Sequence, residues 1–129
     1  MKKITLGFFI LFSVSAHAQK FPLACEQYFK AVEVCSHSAT NLLDRTNPPQ
    51  AEQVREGVKD LERTRAKIRE KFLAQPNGNE MLAKFCTTPD FVNLMTNTIS
   101  SLVVPLQFAG ALDDDCQQAM GEIRVPPQQ

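Results

Sequence analysis

The chain has no tryptophan, one tyrosine and two histidines in 129 residues, and its formal net charge is zero. Each scarcity removes a class of function. With as many acids as bases, the chain has no general attraction for nucleic acid or for an acidic lipid surface. Past residue 18 the only histidine is His37. A general base would need a partnered nucleophile, and none accompanies it in sequence, so His37 is expected to be a surface residue. Close cysteine pairs are also missing. Cys25, Cys35, Cys86 and Cys116 are separated by 9, 50 and 29 residues. A zinc site would show Cys-x-x-Cys spacing with histidine nearby, and a thiol oxidoreductase would need Cys-x-x-Cys or one activated thiol. No cofactor and no metal are therefore expected.

Long apolar runs are absent except at the start. Lys2 and Lys3 precede an apolar stretch over residues 4–14, and Ala16-His17-Ala18 has the small-x-small form of a cleavage site. This reads as a cleavable secretory signal peptide over residues 1–18, with a single helical domain over 19–129. The stretch is shorter than the roughly 20 residues that span a bilayer, and no later run is long enough. Pro22-Leu23-Ala24-Cys25 differs from a lipobox, in which the leucine stands three residues before the cysteine. Without Lys2 and Lys3, the fourteen Lys and Arg fall to twelve against fourteen Asp and Glu, a net charge of −2 for the mature chain. The expected location is the periplasm.

The apolar residues of the mature chain recur in steps of three and four. Cys25, Tyr28, Phe29, Val32, Cys35, Ala39, Leu42 and Leu43 share one face of a first helix. Asn47-Pro48-Pro49 ends it and opens a second, whose seam is Ala51, Val54, Val58, Leu61, Arg65, Ile68 and Phe72. Arg65 takes an apolar position and is expected to snorkel at the seam's edge. Acids lie early in this helix and bases late, which suits the helix dipole and allows the pairs Glu56–Lys59 and Asp60–Arg63. Pro76-Asn77-Gly78-Asn79 is a turn before a short helix over 80–86. Thr88-Pro89-Asp90 starts a fourth helix, expected to stop at Pro105. Residues 106–112 then form an apolar connector, and one of Asp113-Asp114-Asp115 caps a last helix that Pro126-Pro127 ends. Nothing alternates with period two. The expected fold is all-α: a small bundle of four or five helices crosslinked by two disulfides.

Export makes four cysteines two disulfides. Ten residues of helix separate Cys25 from Cys35 by roughly 15 Å, beyond the reach of a bridge. If the short helix climbs along the bundle, Cys86 reaches the level of Cys35 and the preferred pairing is Cys35–Cys86 with Cys25–Cys116. The alternative is Cys25–Cys86 with Cys35–Cys116.

Asp113-Asp114-Asp115 lacks the spaced carboxylates of a cation loop and is better read as a cap. Two surfaces remain for a partner. One is the basic late half of the second helix, represented by Arg63 and Lys67. The other is the connector, with Leu106, Phe108 and Leu112, which either forms an exposed partner patch or packs under the bundle, where a disulfide at Cys116 would hold it. A cavity lined by Phe85, Phe91, Met95 and Leu102 would instead favour a carrier of an apolar ligand or lipid.

The opening Cys25-Glu26-Gln27-Tyr28-Phe29, with Val32 and Cys35, resembles that of an uncharacterised family of small exported helical proteobacterial proteins. The resemblance implies an all-helical, disulfide-bonded domain and no catalytic residues. In size, helicity and cysteine use the chain is also similar to periplasmic immunity proteins that neutralise cell-wall amidases, although it lacks a Gly-Tyr-x-x-Gly-like segment. Acid-stress periplasmic chaperones are smaller and carry one disulfide. The residues point to a non-enzymatic protein-binding module of the envelope, an inhibitor, immunity or accessory factor whose partner is another envelope or exported protein.

Overall fold

The computed structural model describes residues 21–124. The leader, its cleavage site and Pro126-Pro127 lie outside the described residues. Five helices follow in order: α1 Leu23–Thr46, α2 Pro48–Leu73, α3 Gly78–Phe85, α4 Pro89–Phe108 and α5 Asp114–Gly121. No strand occurs among the described residues. Helix α1 is the axis. It buries Cys25, Tyr28, Phe29, Val32, Cys35 and Ala39, and α2, α4 and α5 all pack against it.

Three helix starts follow from local chemistry. Asn47 accepts from the Gln50 N–H at 3.4 Å and Pro48 supplies the first turn of α2. Thr88 accepts from the Phe91 N–H at 3.4 Å at the head of α4. Asp113 accepts from the Cys116 N–H at 2.9 Å at the head of α5. The expected pairs Lys59–Glu56 (2.7 Å) and Arg63–Asp60 (2.8 Å) are present on α2. Arg65 does sit at the edge of the seam. One of its terminal nitrogens donates to both Glu26 oxygens at 2.8 and 2.9 Å, and its guanidinium lies 5.1 Å from the Phe21 ring centroid and 5.3 Å from that of Phe29.

The disulfides are Cys25–Cys86 and Cys35–Cys116, with Cα separations of 5.2 and 4.7 Å. This overturns the preferred pairing of Cys35 with Cys86 and Cys25 with Cys116; both bridges do leave α1, as helix geometry requires. The reason lies in α3. Gly78 is pressed against the end of α2, so close that a Cβ there would stand 2.1 Å from the Phe72 carbonyl oxygen. From that contact α3 crosses the end of the bundle instead of climbing along it, placing Leu82 and Cys86 in the core beside Cys25. Helix α4 then climbs parallel to α1, and α5 descends from the level of Cys35 until Glu122 meets Lys30 at 2.8 Å. The crosslinked residues are 61 and 81 positions apart, so in the chain-entropy picture each bridge contributes about 4 kcal/mol.

The second correction concerns Pro105. Helix α4 continues through it to Phe108. A proline one turn from a helix end deprives one carbonyl, that of Ser101, of its α-helical donor. Two features outweigh that loss. Leu106 is completely buried, and Gly110 (φ 64°) closes a left-handed cap in which the Ala111 N–H reaches the Leu106 carbonyl at 2.8 Å and the Gly110 N–H that of Gln107 at 3.1 Å.

Candidate partner-binding cleft

Helices α2 and α4 both lean on α1 yet hardly touch each other. They run antiparallel: Pro105 lies level with Gln50 and Val54, and Leu94 level with Leu61 and Thr64. Between them is an open cleft floored by Val32, Ala39 and Leu42 of α1, with a space of about 340 Å³ toward the Leu94 end and about 70 Å³ toward Pro105. Each wall is a stripe in steps of four, three, four and three. On α2 it is Gln50, Val54, Gly57, Leu61 and Thr64; on α4 Leu94, Thr98, Ser101 and Pro105 line the cleft, and Phe108, three residues on, continues their face beyond it. Fourteen residues of helix make each stripe roughly 21 Å long.

Both walls are small in the middle, and the α4 wall is apolar at its two ends. A Cβ placed on Gly57 meets nothing within 4 Å. Leu94 is 60% exposed and Phe108 is 89% exposed. From Phe91 through Leu112 the chain carries no Asp, Glu, Lys, Arg or His, so the α4 wall bears no charge. The α2 rim does: Asp60 lines the cleft, Arg63 donates to it, and Lys67 stands one turn further toward the Leu94 end.

The surfaces expected from sequence are partly brought together here. Phe108 ends the α4 stripe, and exposed Arg63 and Lys67 follow the α2 rim. Leu106 is a core residue and not a surface one, and Leu112 is half-buried against the core. Residues 106–108 belong to α4, so the connector is only the turn that follows. Periodicity alone did not single out Leu94, Thr98, Ser101 and Gly57. The long uncharged run and a glycine in mid-helix are the signals that mark them.

The residues imagined as lining a carrier's cavity are packed in the core. Met95 is fully buried, Phe91 and Leu102 are buried, and the Phe85 and Phe91 rings stand 5.4 Å apart. The Tyr28 hydroxyl is enclosed without a hydrogen-bond partner among the described residues, and burial raises its pKa.

A second groove, of about 480 Å³, runs between α1 and α5 and is lined by Lys30, Glu33, His37, Asp113 and Glu122 among others. Two of its acids are engaged, and Glu33 and Asp115 face solvent. Asp113 accepts from the Ser38 hydroxyl and the Cys116 N–H, which hold its carboxyl below the usual range. Lys30 does the same to Glu122. His37 is exposed at the groove's edge. Among the described residues, no group of three or more His, Cys, Asp or Glu is arranged to hold a metal ion, and no helix is long and apolar enough to cross a membrane. Comparison of the chain with protein-family models, curated proteins and solved structures found no match.

Proposed function

We propose that the chain is an exported, non-enzymatic protein-binding module of the bacterial envelope, an inhibitor, immunity or accessory factor, whose working surface is the α2/α4 cleft. The observation that carries this reading is the charge-free wall of α4, with Leu94 and Phe108 exposed at its two ends. Protein interfaces are depleted of charge at their centre and enriched in aromatic residues. Two disulfides in so small a domain support an oxidising compartment. The acids and the histidine of the α1/α5 groove cap a helix, pair with lysine or face solvent, which supports binding over catalysis.

The test is a photo-crosslinking residue at Ser101, introduced into the protein produced in its own envelope. One stoichiometric protein adduct is expected, and Phe108→Asp should abolish it. A protein that crosslinks to nothing and carries lipid in native mass spectrometry would contradict the proposal and make the cleft a lipid site.

A further inference from the structure

The cleft has a length, a shape and a charge order, and together these specify what would fill it. Its floor and two walls are the three sides of a four-helix arrangement whose fourth position is open. The wall residues at mid-length are Gly57, Thr98 and Ser101. Small residues there let another backbone approach closely, which a bound lipid chain does not require. Glycine inside an exposed helix is a standing cost in helix stability relative to alanine. Nothing in the fold itself needs the space, because a Cβ on Gly57 would touch nothing.

The rim supplies direction. The α4 side is uncharged. On the α2 side the order toward the Leu94 end is Glu56, Asp60, Arg63, Lys67. Glu56 and Asp60 pair with Lys59 and Arg63 through exposed contacts, which exchange partners at little cost.

Resting on the reading of the cleft as a protein-binding site, we infer that its occupant is a single amphipathic helix of about four turns from a partner protein, lying parallel to α4 and antiparallel to α2. Its apolar face covers Leu61, Leu94 and Phe108. Acids on the N-terminal half of one flank face Arg63 and Lys67, and bases on the C-terminal half of that flank face Glu56 and Asp60. The same order suits the helix's own dipole, so the two preferences reinforce each other. The flank over α4 is uncharged.

Two fluorescent peptides of identical composition test this with the purified, disulfide-bonded protein. Both carry a leucine face and a short uncharged flank. One has Glu early and Lys late on the remaining flank, and the other has the reverse. Anisotropy titrations at low salt should show the first binding about tenfold tighter, with the preference shrinking at high salt. The double substitution Arg63→Glu with Lys67→Glu makes the rim acidic along its whole length and should abolish the preference. Gly57→Leu should abolish binding of both peptides while far-ultraviolet circular dichroism and the melting temperature show an intact fold. Equal binding of the two peptides, or binding that survives Gly57→Leu, would overturn the inference. So would a two-copy assembly in sedimentation that Phe108→Asp dissociates, because the occupant would then be a second copy of this chain. If neither peptide binds but the crosslinked envelope partner is still captured and is lost on Gly57→Leu, the helix inference fails and the cleft remains the binding site. If that capture survives Gly57→Leu, the cleft itself is the wrong surface.

Discussion

Helices α2 and α4 lean on the same axis, antiparallel to each other, and meet solvent in opposite ways. Helix α2 fully buries only Ala51 along its 26 residues, and Glu52, Glu56, Lys59, Asp60, Glu62, Arg63 and Lys67 stand in water on its outer side. Helix α4 buries Phe91, Met95, Ile99, Leu102, Val103 and Leu106, and beyond its first turn has no ionisable residue with which to face water. A helix kept in solution by charge needs no further partner. Helix α4 meets water with the uncharged polar residues Asn93, Thr96, Asn97, Ser100 and Gln107, and between them Leu94, Val104 and Phe108 keep apolar surface wet at a cost of about 25 cal/mol for each Å². The difference separates the part of the molecule that is finished by folding from the part that binding would complete.

The largest effect should come from freeing α4 at its lower end. Replacing Cys25 and Cys86 together by alanine is expected to cost about 4 kcal/mol in urea unfolding, because that bridge ties the α3–α4 corner to α1. The two faces of α4 are next. Met95→Ala should cost about 3 kcal/mol. Its neighbour Leu94→Ala should change stability by less than about 0.5 kcal/mol while weakening partner capture. Equal stability losses at the two positions would mean that the outer face of α4 is already covered. On α2, Gly57→Ala should raise stability by about 1 kcal/mol, since the added methyl meets open space in a helix interior.

The smallest effect is one of pH. Asp113 has a folded-state pKa below its ordinary value, held there by the Ser38 hydroxyl and the Cys116 N–H. Its contribution is therefore complete above the ordinary carboxylate pKa and fades as pH falls through the lowered one. Asp113→Asn keeps a capping oxygen and should flatten that acid limb of the melting-temperature profile, with a change below about 1 kcal/mol at neutral pH.

What could be read from sequence divides along the same line as the physics. Helix starts at Asn47, at Thr88 and in the run Asp113-Asp114-Asp115 are chemistry within four residues, and each stands as expected, with Asp113 the capping member of the run. The Glu56–Lys59 and Asp60–Arg63 pairs and the exclusion of a Cys25–Cys35 bridge follow from helix geometry alone. The disulfide pairing depends instead on which way α3 points, and a backbone contact between Gly78 and Phe72 decides that. Pro105 read as a stop because the local cost was visible and the burial of Leu106 was not. Arg63 and Lys67 were legible as surface, whereas Phe108 shared a connector with Leu106 that periodicity could not divide into an exposed ring and a buried leucine. That these three border one cleft with Leu94 and Gly57 required knowing that α2 and α4 are antiparallel neighbours held apart on α1.

The central claim is that the space between α2 and α4 is the working surface, and Gly57→Leu tests it most directly. The account predicts a variant that melts at the same temperature as the parent or higher and captures no partner. A variant that is equally stable and still captures the partner at full yield would contradict it.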